Sequence, residues 1–85
     1  MALTNLHNEI LNPLADLISD DIYELLDSNG LINHKSVRDY HIRKTFRELR
    51  TIKISAGEAI DRIRQKYPYL QFDTIRKIVY QPQSN

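Results

Sequence analysis

The chemically usable groups of this 85-residue chain are mainly its twelve lysines and arginines, and every one lies at or beyond residue 35. Residues 1–34 carry Glu9, Asp16, Asp20, Asp21, Glu24 and Asp27 and no Lys or Arg, a net charge of −6. Residues 35–85 set all twelve cations against Asp39, Glu48, Glu58, Asp61 and Asp73, a net +7, so the overall +1 conceals a strong separation of sign. Such a split assigns different tasks to the two halves and makes the second available to a polyanion. Within it Arg43, Arg47 and Arg50 recur at i, i+4 and i+7, with Lys44 nearby. Like charges at helical spacing repel by about 0.2–0.5 kcal/mol per pair, and planar guanidinium forks match phosphate oxygens. The spacing therefore favours phosphate contact over a merely solvated face.

Enzyme chemistry has no comparable signal. His7, His34 and His41 are scattered and lack the i, i+4 arrangement with acidic support of a helical zinc site. Asp16, Asp20, Asp21, Glu24 and Asp27 lack the alternating loop of a calcium-binding EF-hand and fit the polar side of an amphipathic helix. Gly30 and Gly57 belong to no phosphate-cradling loop, and no serine sits in a nucleophile elbow. The absence of cysteine removes disulfides, thiolate metal sites and thiol nucleophiles. No catalytic residue, metal or cofactor is expected. No apolar run approaches the roughly 20 residues of a membrane span, and no signal-peptide pattern opens the chain, so the expectation is a cytoplasmic protein with no membrane partner.

The elements that would position the basic groups read as helices throughout. Leu3, Leu6 and Ile10 fall at helical spacing, and Asn12-Pro13 looks like a cap with Pro at the first helical position. Leu14, Leu17, Ile18, Ile22, Leu25 and Leu26 continue the period, with Ser19-Asp20-Asp21 either riding on the solvent side or restarting the helix; Gly30 is a stop. A longer helix is expected from about Lys35 to Arg50, capped by Asn33, His34 or Ser36, with Ile42, Phe46 and Leu49 inward. Thr51–Ile54 is a connection with local strand character in Ile52 and Ile54. Ser55 and Glu58 form a capping-box signature, followed by Ala56, Ala59, Ile60, Ile63 and Tyr67 on one face, and Pro68 ends that helix. Asp73 is the expected N-cap of a last helix with Ile75, Ile78 and Val79 inward. Asp73, Lys77, Tyr80 and Gln81 then point outward, with Thr74 and Arg76 on the flanks. Pro82–Asn85 has the composition of a frayed end.

The run Ile63-Arg-Gln-Lys-Tyr67-Pro-Tyr-Leu70-Gln-Phe-Asp-Thr74-Ile75-Arg76-Lys77-Ile78-Val79-Tyr80 resembles the C-terminal helix-turn-helix of small phage and bacterial DNA-binding proteins. Its nearest analogy is the Mor-type transcription activators, which pair an N-terminal dimerisation region with such a motif. The resemblance covers about a third of the chain, and Pro68-Tyr69 stands where many such motifs place a single Gly. It implies DNA-facing roles for Thr74, Arg76, Lys77 and Tyr80, and core roles for Ile63, Tyr67, Leu70, Ile75 and Ile78.

The expectation is an all-α, four- to five-helix single domain spanning residues 1–85. It comprises an acidic apolar region (1–34), a basic helical region (35–81) and a helix-turn-helix at 55–81. The expected function is sequence-selective binding of double-stranded DNA by a transcriptional regulator, as a homodimer through its N-terminal helices. Base-contact candidates are Thr74, Arg76, Lys77, Tyr80 and Gln81, and phosphate-contact candidates are Arg43, Lys44, Arg47, Arg50, Arg62, Arg64 and Lys66. The competing reading is a protein-interaction module whose acidic amphipathic helices dock a partner. An RNA adaptor is weaker, since Tyr69 and Tyr80 alone are offered for stacking.

Overall fold

The computed structural model describes residues 12–81; the expected spacing of Leu3, Leu6 and Ile10, His7, and the tail from Pro82 lie outside them. Among the described residues the chain is all-helical, with four helices and no strand: α1 (Asp20–Ser28), α2 (His34–Thr51), α3 (Ala56–Lys66) and α4 (Phe72–Tyr80). None is long and apolar enough to cross a membrane. The chain divides into two compact units, residues 1–37 and 38–85, with the boundary inside α2. That boundary lies three residues from the change in sign of the charge.

In the first unit, Asn12-Pro13 does not launch the continuous helix the leucine spacing predicts. Asn12 is buried, and its amide instead ties a turn: Oδ1 accepts from Leu14 N at 3.0 Å, and Nδ2 donates to Ile18 O at 3.1 Å and Asp20 Oδ1 at 2.8 Å. A short polar side chain that bonds its neighbouring backbone competes with helix propagation. The helix starts afresh at Ser19, whose Oγ accepts from Ile22 N, with Asp20 and Asp21 in the first turn where negative charge is favoured. Tyr23 is the buried side chain of α1. His34 Nε2 lies 3.1 Å from Asp27 Oδ1, and Asn33 Oδ1 accepts from Ser36 N at 3.0 Å to cap α2.

The second unit is built on one cluster. Ile42 and Phe46 of α2, Ala59, Ile60 and Ile63 of α3, and Ile75 and Ile78 of α4 are buried together. Leu49, Ile54, Ala56, Tyr67, Leu70, Phe72 and Val79 pack around them. The inward residues read from the helical period are therefore the ones that pack, because a helix of this length is held by its apolar face rather than by propensity. Ser55 caps α3 through Oγ, which accepts from Glu58 N at 3.3 Å. Tyr67 ends α3, as Pro68 requires.

The Thr51–Ile54 segment is a helix terminus and not a strand. Ile54 N donates to Leu49 O and Lys53 N to Arg50 O, the paired bonds of a Schellman stop, with Lys53 in the left-handed region at φ 70°. The end of α1 is closed the same way: Leu31 N donates to Leu26 O and Gly30 N to Asp27 O, with Gly30 at φ 71°. One stop uses the residue that tolerates this geometry and the other a residue that does not. Replacing Lys53 by Gly is accordingly expected to raise stability by about 0.5–1 kcal/mol. Gly30→Ala is expected to lower it by about 1 kcal/mol, through backbone strain alone, because a Cβ there meets nothing within 4 Å. Urea denaturation followed by circular dichroism measures both; equal effects at the two sites would contradict the assignment.

Candidate nucleic-acid interface

Because Ile75 and Ile78 are fixed in the core, with Phe72 and Val79 packed beside them, the polar side chains of α4 are forced outward. Thr74, Arg76, Lys77, Tyr80 and Gln81 are all exposed, and Arg76, Lys77, Tyr80 and Gln81 line one shallow open recess. Tyr80 has a second attachment: its ring meets Phe46 of α2 edge-on, with centroids 5.6 Å apart. The exposed tyrosine thus also pins the end of α4 to the core.

The start of α4 differs from the expectation. Gln71, not Asp73, is the N-cap, and it makes no side-chain capping bond. Ile75 N is the first amide to find an intrahelical acceptor, Gln71 O, so the N–H groups of the first turn, Thr74 included, have no helical partner. Asp73 sits inside that first turn, and its Oδ1 accepts from Arg76 Nε at 3.0 Å. Gln71 takes the cap because Phe72, packed against the core cluster, already has helical geometry.

The phosphate-contact candidates are sorted by the structure into engaged and unengaged groups. Arg50 Nη1 donates to Ile54 O at 3.0 Å and closes the end of α2. Arg62 Nη2 donates to Glu58 Oε2 at 3.0 Å, and Arg64 Nη1 lies 3.8 Å from Asp61 Oδ1. Arg43 and Lys44 are half-buried and have intramolecular partners. Arg47 and Lys66 are exposed, as is Lys77 on α4, and these three side chains take no partner among the described residues. Arg43, Arg47 and Arg50, helically spaced in sequence, are therefore three different environments, not one stripe. Among the described residues no group of His, Asp and Glu side chains is arranged to hold a metal ion.

No family model, curated protein or solved structure gives a significant match to the chain.

The contact that secures the approach to α4 has no signature in the sequence. Arg38 Nε and Nη2 both donate to Asp39 Oδ1, at 3.0 and 2.8 Å, and both side chains are largely shielded from solvent. The same guanidinium faces the Tyr69 phenol in the turn between α3 and α4. Burial works against its charge, but Asp39 and Tyr69 together outweigh burial and hold it more firmly protonated than usual. Tyr69 meets Tyr67 edge-on at 6.3 Å. The Tyr67 hydroxyl is pushed up by partial burial and by Tyr69, against the opposing pull of Arg38. No sequence spacing links residue 38 to residue 69, so this brace is a product of the tertiary fold alone.

Two outcomes follow for the brace. Arg38→Ala is expected to cost about 1.5–3 kcal/mol, since it strands a shielded carboxylate, whereas Arg62→Ala at an exposed pair should stay within about 0.5 kcal/mol. Because the fold raises the Tyr67 hydroxyl above its ordinary 10.0, the neutral phenol is favoured in the folded state. That contribution is complete below pH 10 and is lost as pH rises through the higher folded value. Tyrosinate absorbance and urea midpoints between pH 9 and 12 should show a smaller alkaline loss of stability in Tyr67→Phe than in the wild type.

Proposed function

We propose that the chain binds double-stranded DNA sequence-selectively, with α3 and α4 acting as a helix-turn-helix and α4 lying in the major groove. The observation that carries this reading is the outer face of α4, where Arg76, Lys77, Tyr80 and Gln81 surround one recess on a helix anchored by Ile75 and Ile78. A rigid helix that presents basic and amide side chains outward has what direct readout requires: a guanidinium for guanine O6/N7 and an amide for adenine N6/N7. Thr74, beside the unpaired amides of the first turn, supplies a phosphate contact at the edge of the groove. Arg47 and Lys66, both unengaged, supply sequence-independent attraction. The consequence is a regulator of transcription.

The apolar side chains Leu17, Ile22, Leu25 and Leu31 of the first unit are exposed, on and around the acidic α1. They support homodimerisation through that unit. The paired helices α4 of a dimer would then read a two-fold symmetric site. The same surface supports a second reading, in which acidic α1 docks a different protein and the basic unit is only solvated.

Anisotropy of a labelled random-sequence duplex, titrated across a salt series, separates the two. DNA binding predicts that log K falls against log[salt] with a slope of about −3 to −6. Arg47→Ala and Lys66→Ala should each flatten that slope by about 0.9. Arg76→Ala and Lys77→Ala should each lower affinity for a selected site. No binding at low salt, with the dimer intact by sedimentation, would instead favour the docking of another protein.

A further inference from the structure

The exposed ion pairs of the basic unit are not equivalent in which guanidinium nitrogen they occupy. In the Arg62–Glu58 and Arg64–Asp61 pairs the carboxylate faces a terminal nitrogen, Nη2 and Nη1 respectively. Asp73 instead takes Arg76 at Nε, 3.0 Å away. A guanidinium held at Nε keeps both terminal amino groups at its far end free, and that end is the planar fork that pairs bidentately with acceptors. Among these exposed pairs of the described residues, Arg76 is thus the arginine gripped from behind with its fork open. It is also the one that lines the recess on α4 with Lys77, Tyr80 and Gln81.

Asp73 is free for this task because it is not a cap. Gln71 occupies the N-cap position, which leaves the Asp73 carboxylate one helical turn from Arg76 on the same outward surface. A carboxylate on the groove-facing side of a DNA-binding helix opposes non-specific attraction to phosphate. Its presence there calls for a compensating role.

We propose that Asp73 is a positioning residue for base readout. It aims the terminal fork of Arg76 at the O6 and N7 acceptors of one guanine, and its negative charge keeps that fork from settling on the phosphate backbone. The proposal rests on the DNA-binding reading above and adds to it the base that is read and the residue that sets the selectivity. A purely local role, stabilising the first turn of α4, would change affinity for every duplex by the same factor. A positioning role changes the ratio between duplexes.

The test starts with selection of preferred duplexes by the full-length protein. Single base-pair replacements in the selected site are then measured by anisotropy across a salt series for the wild type, Arg76→Ala, Asp73→Ala and Asp73→Asn. The wild type is expected to lose about tenfold or more when one particular G·C pair is replaced, and Arg76→Ala to be indifferent to that replacement. In Asp73→Ala the same replacement should cost threefold or less. Affinity for random duplex should meanwhile rise, with a salt slope steeper by about 0.9 as the freed Arg76 reaches a phosphate. Asp73→Asn keeps an oxygen acceptor for Nε without the charge. It should retain most of the discrimination while sharing the rise in random-duplex affinity, a combination that loss of helix stability does not produce. Circular dichroism establishes that each variant is folded. Should Asp73→Ala unfold, Asp73→Asn and the wild type still decide the matter through the ratio of selected-site to random-duplex affinity, which falls in Asp73→Asn under the positioning role and is unchanged under a purely local one. Undiminished discrimination in Asp73→Ala, or a uniform weakening for all duplexes, would overturn the role of Asp73 and leave DNA binding standing. A wild type that binds no duplex would overturn both.

Discussion

Three isoleucines, one from each of three helices, meet with almost no exposure: Ile42 at 0 %, Ile60 at 2 % and Ile75 at 0 %. Everything else in the basic unit depends on that contact. Burying a side chain of this size contributes about 1.5–3 kcal/mol, and α3 and α4, with 11 and 9 residues, are too short to persist in water without it. The same contact sets the rotation of α4. Once Ile75 and Ile78 are inside, Arg76 and Lys77, which stand between them in sequence, have no inward position left. The display of the basic residues is thus a consequence of packing, not an independent feature.

A core of this size leaves the ends of the helices to local devices, and several of the charged residues are spent on them. Arg50 bonds the carbonyl of Ile54 to finish α2, Arg38 braces Asp39 and faces the turn tyrosine, and Lys53 accepts a left-handed backbone to complete a Schellman stop. Exposed ion pairs such as Arg62–Glu58 contribute roughly 0–1 kcal/mol, so a phosphate could replace the carboxylate there at small cost. Arg38 is different. Its partner is shielded from water, and removing either leaves a charge without compensation. The basic residues of this unit therefore form a gradient, from Arg38, committed to the fold, to Arg47, Lys66 and Lys77, which have no internal obligation among the described residues.

Periodicity makes the helices legible. Spacing alone assigns Ile42, Phe46, Ile60, Ile63, Ile75 and Ile78 to the inward side, because a 3.6-residue repeat leaves the apolar residues of each helix one common face. The helix stops at Gly30 and Pro68 are equally plain, since each carries its backbone constraint in its chemistry. Lys53 is not, because nothing in a lysine announces a positive φ. Asp73, a good capping residue, loses the cap to Gln71 through the packing of Phe72, a tertiary effect that outweighs a cap preference of about 1 kcal/mol. Asn12-Pro13 misleads in the same manner: Oδ1 of Asn12 accepts from Leu14 N as a cap would, but its Nδ2 finds Ile18 O and Asp20 Oδ1, two partners that a helix start would not have supplied. The arginine spacing of α2 is real in sequence, yet it says nothing about which guanidinium is used within the fold.

Arg76 and Tyr80, which line the same recess on α4, show how far a single face can be divided. Tyr80 lines the same recess as Arg76 and Lys77, yet its ring also leans on Phe46, which is itself buried. An aromatic edge contact of this kind contributes about 0.5–1.5 kcal/mol beyond the area it covers. Any ligand contact made by the Tyr80 hydroxyl is thereby tied to the core through its own ring, so the end of α4 cannot move without disturbing Phe46. Arg76 gains its order differently, from Asp73 on the same helix, through a bond that costs the core nothing if broken. One end of the face is held by the fold and the other by a side chain that shares its helix. The Arg76 side chain can therefore shift without disturbing the core, and the Tyr80 ring cannot.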